Sequence, residues 1–373
     1  MFTMKKIIII GAGILGASTA YQLAKKDVEV IIVDRKDQGQ ATAAAAGIVC
    51  PWISQRRNKA WYQLAKNGAR FYPHLIKELE LDGETDTGYA QVGAISLHTE
   101  EKKLAGMEER ATKRREDAPE IGNITRLDAE ATNVLFPPLA EEYASVHISG
   151  AARVDGRALC DALLRAAQKH GVTLIHGNAI LQYEEKRITG VTVNDTFIHS
   201  DEVIVCAGAW AKQLLQPLGV DFKVSFQRAQ IIHLSLPDLN TNKWPVVMPP
   251  SDQYLLAFDN HRIVAGATHE NIEEFDYRMT TAGLQEVFNK ALHTAPGLAD
   301  STFLGARVGF RPFTPGFLPV IGALPGWGGI IVANGLGSSG LTMGPYIGKQ
   351  LAQLALGLEV EIDLGLYDVS TAL

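Results

Sequence analysis

What is scarce narrows the reading first. The chain has only 3 cysteines, Cys50, Cys160 and Cys206. An odd number without a C-x-x-C pair or C/H ligand spacing gives no metal site and suits a reducing compartment, so they read as small core residues. Long apolar runs are missing: no stretch is long enough to span a bilayer, and no transmembrane segment is expected. An excess of positive charge is missing too. The 35 Lys and Arg against 41 Asp and Glu give a net charge of −6, mixed along the chain, which argues against a nucleic-acid surface. The basic cluster "KRRE" at 113–116 lies in a Glu-rich stretch and reads as a solvated helix face. There is no repeat, linker or low-complexity segment beyond one Ala-rich run.

What is present is a globular composition, 46% hydrophobic and 20% charged over 373 residues, enough for two substantial domains. The opening "MKKIIIIGAGILGASTA" imitates a secretory leader, but a leader has no use for glycines at 11, 13 and 16, and a soluble cytoplasmic protein is expected. "KIIII" at 6–10 is a short β-branched run, as in a strand buried on both faces. A helix is expected from Gly16, and "VEVIIVD" at 28–34 reads as a second buried strand. In this β-α-β unit Gly11 permits a tight turn, Gly13 lets a pyrophosphate approach the backbone, and Gly16 lets helix and strand pack closely. Asp34 stands at the distance that suits a carboxylate accepting hydrogen bonds from an adenosine ribose. FAD and NAD both fit this unit. "GQATAAAAGIVCPW" at 39–52 is crowded with small side chains, which suits either backbone lying against a flat ligand or an Ala-rich helical turn.

Further along, "GVTLIHGNAILQYEE" reads as two strands joined around Gly177 and Asn178. In "DEVIVCAGAW" a buried strand ends in Ala207-Gly208-Ala209, where a cofactor can cross the sheet edge. "GGIIVANGLGSSGLTMGPYIGKQLAQLALG" reads as strand, glycine-rich turn and helix. That helix would aim its N-terminal dipole at whatever occupies the turn, unless Ser338 or Ser339 merely caps it. Near the C-terminus, "ARVGFRPFTPGFLPVIG" at 306–322 sets Arg311 among apolar residues, where a guanidinium needs an anionic partner: an acid such as Asp300, or a ligand.

Together these motifs, with "GAARVDGRAL" at 150–159, resemble the FAD-dependent D-amino acid oxidase family, within it glycine oxidases, sarcosine oxidases and bacterial D-amino acid dehydrogenases, along the whole chain. The resemblance implies an α/β fold: a Rossmann-type FAD-binding domain with a parallel sheet and helices, from residues 1–85, 150–215 and 305–373. It is interleaved with an α+β substrate domain built on a large, mostly antiparallel sheet, from 86–149 and 216–304. By the same resemblance FAD is bound non-covalently, since "RVGF" lacks the cysteine that sarcosine oxidases attach to flavin. Its contacts fall on Gly11, Gly13, Ile14, Leu15, Gly16, Asp34 and Arg35; then on Thr42, Ala43, Ala46 and Gly47. Later contacts fall on Ile180, on Ala207, Gly208 and Trp210, and on Gly337, Ser338, Ser339, Gly340, Leu341 and Thr342.

The implied reaction is oxidation of the CH–NH bond of a small D-amino acid, glycine or N-methyl amino acid, by hydride transfer to flavin N5, giving an imine and then a keto acid. Arg311 matches the family's carboxylate-binding arginine, and Tyr254 in "SDQYLLAF" a second carboxylate contact. Two departures stand out: Gly316 replaces a usual Asp after "TP", and Ser338 stands where glycine-oxidase-like sites have a second arginine. The apolar "RIVAGAT" replaces the segment carrying an oxygen-activating lysine in sarcosine oxidases. The electron acceptor, oxygen or a quinone or other electron-transfer partner, therefore stays open, as does assembly into a homo-oligomer. His233, His261 and His269 lie in the expected substrate domain and are assigned no role. Two other readings are a nicotinamide-dependent dehydrogenase and a flavin-binding subunit without turnover of its own.

Overall fold

The computed structural model describes residues 4–373. At its centre β1 (Lys5–Ile10) pairs in parallel with β2 (Val28–Asp34) on one side and with the strand Glu202–Val205 on the other. The six-stranded sheet runs Val320–Ala323, Ile330–Asn334, Glu202–Val205, β1, β2, Thr173–His176, and only its first pair is antiparallel. Ile7 and Ile9 pack on one face with Ala17, Ala20 and Leu23 of α1 (Ile14–Ala24). Ile8 and Ile10 pack on the other with Leu181, Val191 and Leu215. A strand covered on both faces has no solvent side, which is why its sequence is an unbroken apolar run rather than an alternation. The helix starts at Ile14, two residues before the glycine that marked it in sequence, because extended Gly13 is its N-cap.

After β2 come α2 (Ala41–Ala44), β3 (Ala46–Val49) and α3 (Lys59–Leu81); β3 pairs with Ala152–Asp155. The Ala-rich run is thus both a short helical turn and a strand. The second large sheet has nine strands, and every pairing in it is antiparallel except that of Val246–Met248 with Ala94–His98. Its strand Thr302–Phe313 pairs along Ser225–Ser235, so a domain boundary drawn at 305 cuts through a strand of this sheet. One face of the sheet is covered by Val287 and Ala291 of the helix Thr281–Thr294, with Phe136 and Leu139. The other face turns toward the ends of the parallel strands.

Among the described residues no helix is long and apolar enough to cross a membrane. The cysteines are free and buried, and burial pushes the Cys50 and Cys206 thiols up to about 12, which leaves them inert near neutral pH. The basic cluster is not wholly a solvated face. Arg114, in α4 (Glu101–Arg115), folds inward, and its Nη1 donates to the carbonyls of Trp52 at 2.6 Å and Ser54 at 2.8 Å.

Candidate active site

A cavity of about 560 Å³ lies between the two sheets. Its floor is made by the turns that leave the C-terminal ends of three adjacent parallel strands: Gly11 and Gly13 after β1, Ala207 and Gly208 after Glu202–Val205, and Gly335 to Ser338 with Gly340 after Ile330–Asn334. Ligands of open α/β sheets bind at this edge. Gly11, at φ +103°, makes the sharp turn, and a Cβ there would sit 2.4 Å from the Cys206 carbonyl oxygen. Gly208, at φ +52°, has nothing within 4 Å of a Cβ position and faces open space.

Ile14, Leu15, Asp34, Arg35, Thr42 and Ala46 also line this cavity. So do Ile180, Trp210, Gly337, Ser338, Gly340, Leu341 and Thr342. Four expected cofactor contacts do not. Gly16 is buried behind the turn, where a Cβ would lie 1.8 Å from the Gly11 carbonyl oxygen. Gly47 points away because strand side chains alternate: Ala46 and Ile48 face the cavity, and Gly47 faces Val154. Ala43 presents its carbonyl outward to Arg157 Nε at 2.8 Å and Arg307 Nη1 at 3.3 Å. Ser339 is absent from the lining although Ser338 and Gly340 are in it.

Asp34 is already engaged. Its carboxylate accepts from the Ala12 N–H at 2.7 Å, the Lys36 N–H at 2.6 Å and Gln40 Nε2 at 3.0 and 3.2 Å. The two backbone bonds hold the glycine turn against β2, and the Gln40 amide is the donor a ribose hydroxyl would replace. Gln40 has no sequence signature for this, nor does Asn334. Its Nδ2 donates to the Gly208 carbonyl at 2.9 Å while its Oδ1 accepts from the Gly335 N–H at 2.7 Å, tying two of the floor turns together.

At the other end of the cavity Arg311, Tyr254, His269 and Asp252 come together from the nine-stranded sheet. Arg311 forms no ion pair with Asp300 or any other carboxylate among the described residues, and its buried Nη1 has no hydrogen-bond partner. Burial raises the Tyr254 hydroxyl, with the nearby Arg311 guanidinium acting against that rise. Gly266 makes room for this hydroxyl, since a Cβ there would lie 2.8 Å from Tyr254 Oη. His269 Nδ1 lies 3.4 Å from Asp252 Oδ2, and Lys290 Nζ lies 3.0 Å from Asp252 Oδ1. Burial, followed by the Arg311 charge, holds the His269 imidazole below its ordinary range, so it is neutral at pH 7. His269 is the site residue the sequence reading passed over; only its place just after "GAT" hinted at the cavity. Gly316 sits at φ +73°, a conformation glycine adopts freely, in a turn closed by Thr314 Oγ1 donating to the Leu318 carbonyl at 2.6 Å.

The arrangement fits a flavin dinucleotide. Neither α1 nor the helix Gly340–Ala355 has a hydrogen bond from its N-cap residue's side chain, Ser339 included; in α1 the Ile14 N–H donates to Thr42 Oγ1 at 2.9 Å, and both helices begin at the cavity, turning their positive dipole ends toward it. The first suits a pyrophosphate, the second an anionic ring edge.

Comparison with known proteins agrees. A family model described as FAD dependent oxidoreductase (DAO) matches residues 6–354. The uncharacterized oxidoreductase YurR of Bacillus subtilis (strain 168) is 63% identical over 371 residues, spanning 99% of this chain and 100% of that protein. The glycine oxidase of Pseudomonas aeruginosa PAO1 is 28% identical over 372 residues, spanning 97% and 98%. The crystal structure of iminodiacetate oxidase from Chelativorans sp. BNC1 superposes with a TM-score of 0.94 at 46% identity, covering 97% of this chain and 98% of that one.

Proposed function

Because the chain belongs to the DAO family of FAD-dependent oxidoreductases, we propose that it oxidises the C–N bond of a small amino acid, glycine-like or N-substituted, whose carboxylate is held by Arg311. The observation that carries this is the Arg311 guanidinium, set in the cavity wall with a buried nitrogen that has no partner in the protein. A buried cation is costly unless an anion meets it, and a guanidinium fork matches a carboxylate geometrically. Tyr254 donates its hydroxyl to the same carboxylate.

FAD supplies the hydride acceptor. Arg311 and Tyr254 fix one end of the substrate and thereby orient its α-carbon, which is where the protein's contribution to rate arises. Loss of hydride from that carbon of the neutral amine leaves an iminium ion, which becomes the imine on giving up its N–H proton. Water then hydrolyses it to a 2-oxo acid and ammonia, or to a primary amine where the nitrogen carried a substituent. The neutral His269 beside Arg311 accepts a hydrogen bond from the substrate nitrogen, with Asp252 orienting its ring.

The iminodiacetate oxidase likeness favours a substrate bearing a carboxymethyl group on nitrogen over a bulky side chain. Ser338 leaves the turn beside the cavity uncharged, so Arg311 alone among the lining residues of the substrate end is a permanent cation. The test is an anaerobic panel of glycine, D-amino acids, N-methyl amino acids and iminodiacetate added to the FAD-loaded enzyme. Loss of the oxidised-flavin absorbance identifies substrates, and re-oxidation by oxygen or by a quinone identifies the acceptor. A panel without any response contradicts the proposal.

A further inference from the structure

Outside the cavity, basic side chains gather where the loop between β3 and α3 meets α4. An open cleft of about 530 Å³ is lined there by Arg56 and Arg57 of the loop, Tyr62 of α3, Arg110, Lys113 and Arg114 of α4, and Glu116 and Asp117. None of these residues lines the larger cavity.

The acids do not balance the bases. Asp117 is occupied by Lys66, whose Nζ lies 2.8 Å away. Arg114 is spent on two loop carbonyls, and its guanidinium lies 4.5 Å from the Tyr62 ring centroid. Arg110 reaches only the Gly106 carbonyl, at 3.2 Å. Arg56 stacks over the Trp61 ring at 4.8 Å, and neither it nor Arg57 or Lys113 is in an ion pair among the described residues. Glu116 is left as the one free acid against five cations. Tyr62 also lines the cleft, and its hydroxyl is buried without a hydrogen-bond partner. Burial pushes it up to about 12, so it is an O–H donor at neutral pH.

Gathered cations without matching acids are the lining of an anion site. We propose that this cleft binds a small molecule carrying two or more oxyanion groups, a polyphosphate or polycarboxylate. Such a ligand relieves repulsion among the arginines and bridges α4 to the loop that continues from β3. Since Ala46 and Ile48 of β3 line the cavity, the bound anion stiffens one cavity wall from outside.

The experiment is calorimetric titration of the enzyme saturated with FAD, at low ionic strength, with pyrophosphate in one arm and citrate in the other. Saturable binding at one site per chain is expected in at least one arm, weakening as salt is added. The double variant Arg57→Ala/Lys113→Ala, both exposed and outside the cavity lining, is expected to weaken it at least about 10-fold while flavin content and anion-free turnover stay unchanged. Preference for pyrophosphate assigns a phosphate ligand, and preference for citrate a carboxylate. Absence of saturable binding in both arms, or binding undiminished in the double variant, overturns the inference.

Discussion

Arg311 and His233 show how one rule, that a buried charge needs a partner, works in opposite directions. Arg311 lines the cavity and keeps a buried nitrogen without a protein partner, so Arg311→Lys, which retains charge but loses the fork, is expected to raise the apparent Kd of the best amino acid about 10- to 100-fold. Flavin content should be unaltered, and stopped-flow flavin reduction measures both quantities. His233 is instead held neutral: burial first, then Arg307 and Arg262, with Arg157 adding and Asp155 opposing, lower it to about 4. The unfolded chain takes up that proton near pH 6.5, before the folded one does, so stability is intact above that pH and falls as the pH drops toward about 4. After allowance for solvent screening the loss is about 2 kcal/mol, and denaturant unfolding of His233→Gln across this range should show a flatter profile. If the wild type is as flat as the variant, His233 is not held neutral by the fold. Arg311 was legible because its neighbours in sequence are apolar. His269 was not, because its role depends on Asp252 and Lys290, which no spacing rule connects to it.

At the scale of elements, the glycines sort into those that face the cavity and those that let elements touch. Gly16 belongs to the second kind, so Gly16→Ala should act on packing first: a methyl 1.8 Å from the Gly11 carbonyl must push α1 off β1. Overpacking of this kind costs about 1–3 kcal/mol, and it would displace the turn as well. A lower Tm together with poor FAD retention after purification is the expected pair; an unchanged Tm with lost FAD would instead make Gly16 a direct contact. The short α2 is held from outside by two guanidinium groups on a single carbonyl, that of Ala43. Burial lowers Arg307 to about 10, with Arg157 adding to the effect, so this clamp has a cost, and Arg307→Met should raise the His233 pKa in an NMR titration. The strands and helices around the glycine turns could be read directly, because buried parallel strands announce themselves as apolar runs. The facing of Gly47 and Ala43 could not, since a one-residue difference in register decides which side chain meets the cavity.

For the whole molecule, the cavity exists because the C-terminal edge of a parallel sheet meets one face of an antiparallel sheet. The first contributes glycine turns and helix ends; the second contributes Arg311, Tyr254, His269 and Asp252. The parallel sheet was legible in its apolar runs, and the antiparallel sheet was expected from the family resemblance. The membership of Thr302–Phe313 in the second sheet was not, because its pairing partner Ser225–Ser235 is distant in sequence. A cofactor seated between the sheets should couple them: FAD at about 100 times its Kd adds about 2.7 kcal/mol to unfolding, seen as a Tm that rises with FAD concentration. The most direct test of the account is anaerobic titration of the FAD-loaded enzyme with glycine and iminodiacetate, beside the corresponding amines that lack a carboxylate. The account predicts that the carboxylated compounds bleach the flavin and the bare amines do not, with the difference abolished in Arg311→Ala. Equal reduction by both kinds of amine, or full discrimination surviving in Arg311→Ala, would contradict it.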